Sequence, residues 1–309
     1  MTGAVLLALL PIVVLIGLGA LLRHRRFLDD RFWPQAERLC YYVLVPCLFF
    51  HGLATARLEA LPVGELALTL VLSTVAVAVL VVALRPLLGV EGPAFTSVFQ
   101  GSVRFNNYVG VTLATGLFGA KGLALAAICN AAIVPTVNIL CVLVFARHGS
   151  ARLTGRGILR QVATNPLVLG SFGGIAFQAL GLGIPAGLEP ALRALGAAAL
   201  PLGLLCIGAA LEFRAARHWV RPVVSSSAMK FLAMPAVTVL VAAPLGLDGP
   251  ALTTALLFQA LPTASSAYVM ARQLGGDAPL MAGITATQTV LAIAVLPLVL
   301  VGLDAIVRL

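Results

Sequence analysis

The sequence predicts an all-α integral membrane protein of ten transmembrane helices, arranged as two inverted five-helix repeats in which helices 4 and 9 are broken. Three observations carry this expectation. Of 309 residues, 61% are hydrophobic and only 10% charged, whereas a soluble domain carries roughly a quarter charged residues. The apolar residues gather into ten runs, each close to the roughly 20 residues a spanning helix needs, with short polar breaks between them. Finally, Pro11 and Pro166, Pro46 and Pro201, and Asn107 and Pro262 share one offset of 155 residues. Five helices is an odd number, so a repeat of this kind is inverted across the membrane. The same composition excludes a soluble catalytic domain, a disordered chain and a disulfide scaffold. A β-barrel would show weak alternation over segments of about ten residues instead.

The first run, residues 4–22, has no basic stretch before it and is followed by Arg23, His24, Arg25 and Arg26. That is the reverse of a cleavable signal peptide, so the run reads as a first span whose C-terminal end is cytoplasmic. The later runs are residues 38–56, 64–84, 92–118, 121–146, 165–182, 190–211, 222–245, 250–272 and 279–303. Threading them from an outside N-terminus puts fourteen arginines inside, among them Arg38, Arg85, Arg147, Arg221 and Arg272. Only Arg57, Lys121, Arg193 and Arg308 fall outside. This asymmetry is the positive-inside pattern, and it places both termini outside a bacterial inner membrane. The polar stretch 147–164 is the longest break and separates a first repeat, 1–146, from a second, 165–309. The basic loops, with Trp33 and Trp219 beside them, read as contacts with anionic lipid and as interfacial anchors.

The formal charge of +9 would suggest nucleic acid in a soluble chain. Here no basic patch interleaved with aromatic residues and no nucleic-acid motif is present, so no nucleic-acid partner is expected. The five cysteines lie in or at the edge of apolar runs and form no CxxC pair, which points to packing. No metal-ligand cluster, nucleophile elbow or Walker motif appears, so neither an enzyme nor a cofactor is expected.

The polar groups inside the spans point to function. The fourth run reads SVFQGSVRFNNYVGVTLATGLFG, placing Gln100, Ser102, Arg104, Asn106, Asn107 and Tyr108 at the centre of an apolar span. The ninth reads LFQALPTASSAYVMARQLGG, with Gln259, Pro262, Thr263, Ser265, Ser266 and Tyr268 at the corresponding depth. Both look like discontinuous helices, and broken helices at equivalent places in two inverted halves mark a transport site. Two cations fall in the spans, Arg104 at the fourth-helix break and Lys230 in the eighth. A charge at the bilayer centre costs about 2.5–3.5 kcal/mol even on the lenient insertion scale, so each needs a partner. Every Asp and Glu sits at or beyond the end of an apolar run, which leaves an anionic ligand to supply the negative charge. An arginine takes a carboxylate through two parallel hydrogen bonds.

Structural roles stand beside these functional ones. Lys230 lies toward the cytoplasmic end of its helix, from which it can snorkel to the headgroups. Asn106 and Asn107 have the chemistry to cap half-helices. Asn138 in the fifth run and Gln288 in the tenth read equally as interhelical hydrogen-bonding groups and as part of the site. Coupling is constrained by the missing carboxylate: His51, near the outer end of the second run, is the one intramembrane group of the kind that usually carries protons. Sodium, held by backbone and side-chain oxygens, remains open beside the proton.

RFNNYVGVTLATGLFG followed by GLALAAICNAAIVPTVNILCVLVF, then PTASSAYVMARQLGGDAPLMAG with Gln288, Thr289 and Pro297 beyond, resembles the auxin efflux carrier family in its bacterial malonate and organic-acid permease branch. YYVLVPCLFFHGLA in the second run adds to the resemblance, which covers essentially the whole chain. It implies a fold like that of bile-acid symporters and sodium/proton antiporters, in which a scaffold domain moves against one carrying crossed broken helices. By motif position the crossing would involve Asn106 and Asn107 in one half and Pro262 to Ser266 in the other. The substrates implied are organic anions, and related folds imply a homodimer.

The expectation is therefore a secondary carrier for a small mono- or dicarboxylate, working by alternating access. Its candidate binding residues are Arg104, Asn106, Asn107, Tyr108, Asn138, Lys230, Thr263, Ser265, Ser266 and Gln288. The alternatives are a sodium or proton antiporter of similar fold, which would need a buried acid pair, and a passive anion channel.

Overall fold

In the computed structural model, which describes residues 2–56, 61–149, 164–211, 220–264 and 266–307, every regular element among the described residues is helical. Helix α1 spans Thr2–His24, and its last turn carries Arg23 and His24, where cations suit the negative end of the helix dipole. The next helix begins at Phe32, ahead of the expected start at 38. It runs as α2 (Phe32–Leu39), a wide π turn (Cys40–Leu44) and α3 (Val45–Ala54). Glu37 therefore lies within a helix instead of beyond one. There follow α4 (Val63–Ala83), the short α5 (Arg85–Leu88) and α6 (Gly92–Val103).

The backbone leaves the helix at Arg104, which is extended, and re-enters it in α7 (Asn107–His148). This element is two limbs. At Gly119 the backbone takes φ 58°, ψ −136°, a conformation side chains resist. A Cβ on Gly122 would fall 1.9 Å from the Ala114 carbonyl oxygen, and eight residues of continuous helix would keep these about 12 Å apart along the axis. The chain therefore doubles back between the two limbs. The second half supplies α8 (Pro166–Ala179), α9 (Glu189–Ala209) and α10 (Val220–Ala228). A second π turn (Met229–Ala233) leads into α11 (Met234–Ala242). Helix α12 (Gly249–Gln259) ends ahead of a non-helical stretch, and α13 (Ser266–Leu274) and α14 (Ala278–Val307) complete the chain.

Five helical stretches among the described residues are long and apolar enough to cross a membrane: Val63–Ala83, Gly92–His148, Glu189–Ala209, Val220–Leu245 and Ala278–Val299. Their outward faces carry large exposed apolar side chains such as Val79, Leu240 and Leu298, as a lipid solvent requires. Packing sorts the helices into two groups. One joins α1, α3, α8 and α9; the other joins α4, α6 and α10 to α14; the two limbs of α7 pack against both. Within the first, α1 and α9 meet backbone to backbone: a Cβ on Gly208 would lie 1.9 Å from the Ile16 carbonyl oxygen. Small residues allow this close approach where no hydrophobic effect drives helices together.

Candidate functional site

The two interruptions of the helical backbone are brought together by one side chain. Ending α6 at Val103 leaves the Gly101 carbonyl without a helical donor, and Gln288 Nε2 of α14 donates to it at 2.9 Å. The same side chain accepts from the Thr263 N–H at 3.0 Å, in the gap between α12 and α13, and donates to Ser226 Oγ at 3.3 Å. Gln288 is fully buried, so its amide satisfies backbone groups of both breaks that water cannot reach. Gln259, at the end of α12, does similar service toward α4, donating to Ser73 Oγ at 2.7 Å and Thr74 Oγ1 at 3.0 Å.

Past Val103, the extended Arg104 turns its guanidinium toward α7 and α13. Nη1 donates to Asn138 Oδ1 at 3.0 Å and lies 3.5 Å from Met270 Sδ, while Nη2 reaches Ser266 Oγ at 3.4 Å. All three partners are neutral. Asn106, almost completely buried, caps α7 by accepting from the N–H groups of Tyr108 at 3.1 Å and Val109 at 3.4 Å. Asn165 caps α8 in the same way, accepting from Leu167 and Val168 at 3.0 and 3.3 Å. Its Nδ2 donates to Tyr41 Oη at 3.1 Å, leaving the phenol proton for another acceptor. Tyr41 stands on the π turn after α2, an irregularity that recurs at functional sites.

These groups surround two adjoining cavities. A small chamber of about 60 Å³ is lined by Arg104, Asn106, Asn107, Tyr108, Asn138 and Ser266, with Glu37 and Tyr41 also on its wall. A larger vestibule of about 520 Å³ shares Glu37, Tyr41, Arg104, Asn138 and Ser266 and adds Arg38, Asn165 and Gln273. Asn107 Oδ1 is buried and meets no partner among the described residues. The N-termini of α7 and α8, both asparagine-capped, border this space and favour negative charge. Guanidinium, amide groups, a phenol and two helix ends thus face this space, together with the Glu37 carboxylate on its wall.

Of the residues singled out by sequence, the structure thus brings Arg104, Asn106, Asn107, Tyr108, Asn138 and Ser266 to one chamber. Thr263 and Gln288 lie behind it and bond to each other. Lys230 lines neither cavity, and Ser265 lies outside the described residues. Sequence reasoning missed Tyr41, Asn165 and Glu37. The Asn165–Pro166 pair opening an apolar run was a legible helix start, but nothing in the pattern placed it beside Arg104. Among the described residues no group of three or more His, Cys, Asp or Glu is placed to hold a metal ion.

The family model described as "Membrane transport protein" matches residues 4–300. A protein of Rhizobium meliloti named "Putative malonate transporter" is 27% identical over 251 residues, covering 76% of this chain and 75% of that protein. An "Uncharacterized transporter" of Methanothermobacter thermautotrophicus is 24% identical over 296 residues, covering 94% of this chain and 95% of its own.

Proposed function

The chain belongs to the membrane transport protein family, that of the auxin efflux carriers, and we propose that it is a secondary carrier of a small organic anion, a mono- or dicarboxylate. The anion binds in the chamber at the break between α6 and α7, replacing Asn138 and Ser266 as partner of the Arg104 guanidinium. Asn107 and the Tyr41 phenol complete its hydrogen bonds. What carries this reading is Arg104 itself: a partly buried guanidinium at a backbone break, facing a cavity, whose hydrogen-bond partners among the described residues are all neutral. A bound carboxylate replaces those neutral acceptors with a full counter-charge and can take two parallel hydrogen bonds from the guanidinium. Malonate is the first candidate, because a relative carries that name.

In this reading the chain crosses a bacterial inner membrane ten times as two inverted five-helix repeats, with both termini outside and the broken helices crossing at the site. The vestibule, bordered by Arg38 and Gln273, is then open to the cytoplasm. Alternating access follows from motion of the group containing α3, α8 and α9 against the group carrying both breaks, because the cavities lie between Tyr41 and Asn165 on one side and Arg104 and Ser266 on the other. Lipid covers the apolar outer faces, and a second copy of the chain forms a homodimer.

The test is counterflow in liposomes reconstituted with the purified protein. Preloaded unlabelled malonate should drive transient accumulation of labelled malonate, saturably, and Arg104→Ala should abolish it while the protein stays folded. Counterflow that is undiminished in Arg104→Ala would refute the assignment. Flux without saturation or counterflow would identify a channel.

A further inference from the structure

The chain's two lysines sit in opposite environments. Lys121 is exposed beyond the Gly119 turn, whereas Lys230 has no exposed surface and its Nζ meets no hydrogen-bond partner among the described residues. Lys230 stands on the π turn Met229–Ala233, which packs on α4 and α6 and is flanked by α10 and α11. No ionisable group of these elements faces it. Helices α6 and α11 carry none; Glu65 of α4 is exposed in its first turn; Arg221 of α10 is exposed and donates to the Leu87 carbonyl. Helix α14, packed on α10, carries none before Asp304. Arg104, just past α6, directs its guanidinium to Asn138, Ser266 and Met270.

An ammonium with neither counter-charge nor acceptor is among the costliest groups to enclose, and a neutral amine is far cheaper. Three buried side-chain oxygens on helices packed around the Lys230 turn also lack partners among the described residues: Thr69 Oγ1 of α4, Ser227 Oγ of α10 and Gln100 Oε1 of α6. Ser227 lies one turn back on the helix leading to Lys230, the direction in which a helical side chain leans. A protonated Nζ has three donors to offer such groups, so the packing of α6 against α10 decides whether the protein can solvate a charge there. That packing is tied to the transport site: Ser226 of α10 and Gly101 of α6 share the Gln288 amide that also holds Thr263.

From this geometry we infer that Lys230 Nζ is a proton-binding site coupling anion movement to protons, an inference that rests on the carrier reading above. The lone pair of the amine takes up one proton in one conformation and releases it in the other, as motion at the breaks opens and closes the belt to water. A proton is the ligand that needs no cavity, and Lys230 lines neither of the cavities that hold Arg104. The competing groups are placed differently. His51 Nε2 lies 3.6 Å from Glu189 Oε1, between α3 and α9, away from both breaks. Glu37 is on the vestibule wall and serves as the comparison.

Liposomes bearing the full chain provide the test, with labelled malonate as probe. An imposed difference of one pH unit should stimulate uptake by the wild type, by up to about tenfold for each coupled proton. Lys230→Met should lose that stimulation while malonate counterflow persists. The inference is overturned if Lys230→Met keeps the stimulation, if it loses counterflow while still folded, or if only Glu37→Gln uncouples. Absence of wild-type counterflow with malonate, acetate, lactate, malate, succinate and indole acetate would instead sink the carrier reading. A second measurement judges Lys230 in that event and also if Lys230→Met fails to fold. Wild-type protein labelled at lysine ¹³Cε gives two NMR signals, assigned with Lys121→Arg. The Lys230 signal should move with pH over the range in which the protein stays folded; a signal fixed throughout that range overturns the inference.

Discussion

Replacing Gln288 by leucine tests whether one side chain holds the two breaks together. Leucine fills a similar space but leaves the Gly101 carbonyl and the Thr263 N–H, bonded at 2.9 and 3.0 Å in the wild type, buried without partners. Each stranded backbone group costs about 1–3 kcal/mol, so Gln288→Leu should lose roughly 2–6 kcal/mol. For a chain of this length about 2 °C of Tm accompanies each kcal/mol, which gives a fall of about 4–12 °C by thermal denaturation in detergent. Thr289→Val is the matched control: Thr289 Oγ1 donates only to the Thr285 carbonyl one turn back, at 2.8 Å, so its loss should cost under about 1 kcal/mol, near the net worth of an ordinary hydrogen bond. If Gln288→Leu and Thr289→Val denature within a degree or two of each other, the breaks are held by something else and the geometry assigned to Gln288 is wrong.

Asn106→Ala should lower Tm by about 2–4 °C, since losing an N-cap costs about 1–2 kcal/mol. Asn106→Asp should keep the cap but weaken malonate binding, because it adds a carboxylate to the chamber; isothermal titration that finds affinity unchanged would show that the anion binds elsewhere. Gly208→Val should force α1 from α9, because its Cβ would fall 1.9 Å from the Ile16 carbonyl oxygen. The expected loss is about 1–3 kcal/mol or more, read as aggregation on size-exclusion chromatography, and a normal profile would contradict the close contact. In a cysteine-free background, Lys121→Cys should react with an impermeant maleimide on intact cells and His148→Cys should not. The opposite result would invert the proposed topology.

What the sequence made legible was whatever a local pattern can encode. Apolar runs of helix length became helices, and Gly119 turned the chain between the fourth and fifth runs. The polar residues around Arg104 and Pro262 marked the places where the backbone leaves the helix. Helix starts were less secure: α2 opens at Phe32, so Glu37, read as beyond an apolar run, reaches the vestibule wall. Contacts between distant segments were not legible. Tyr41 and Asn165 meet 124 residues apart, and no pattern in either segment announces the other. Gln288 had two readings of equal standing, and the structure gives it the hydrogen-bonding one. Lys230 and Arg104 were paired by charge alone, and packing separates them, because a buried cation is placed by the faces of its helix and not by its depth.

Calorimetric titration of malonate into the purified wild type, Arg104→Lys and Arg104→Ala tests most directly whether Arg104 holds the anion. Charge-assisted hydrogen bonds contribute about 1.5–3 kcal/mol, so affinity should fall by about 10- to 150-fold in Arg104→Ala. Arg104→Lys should lie between, keeping the charge but losing the bidentate geometry. Equal affinity in the wild type and Arg104→Ala, with both folded, would remove Arg104 from the site and the anion from this chamber.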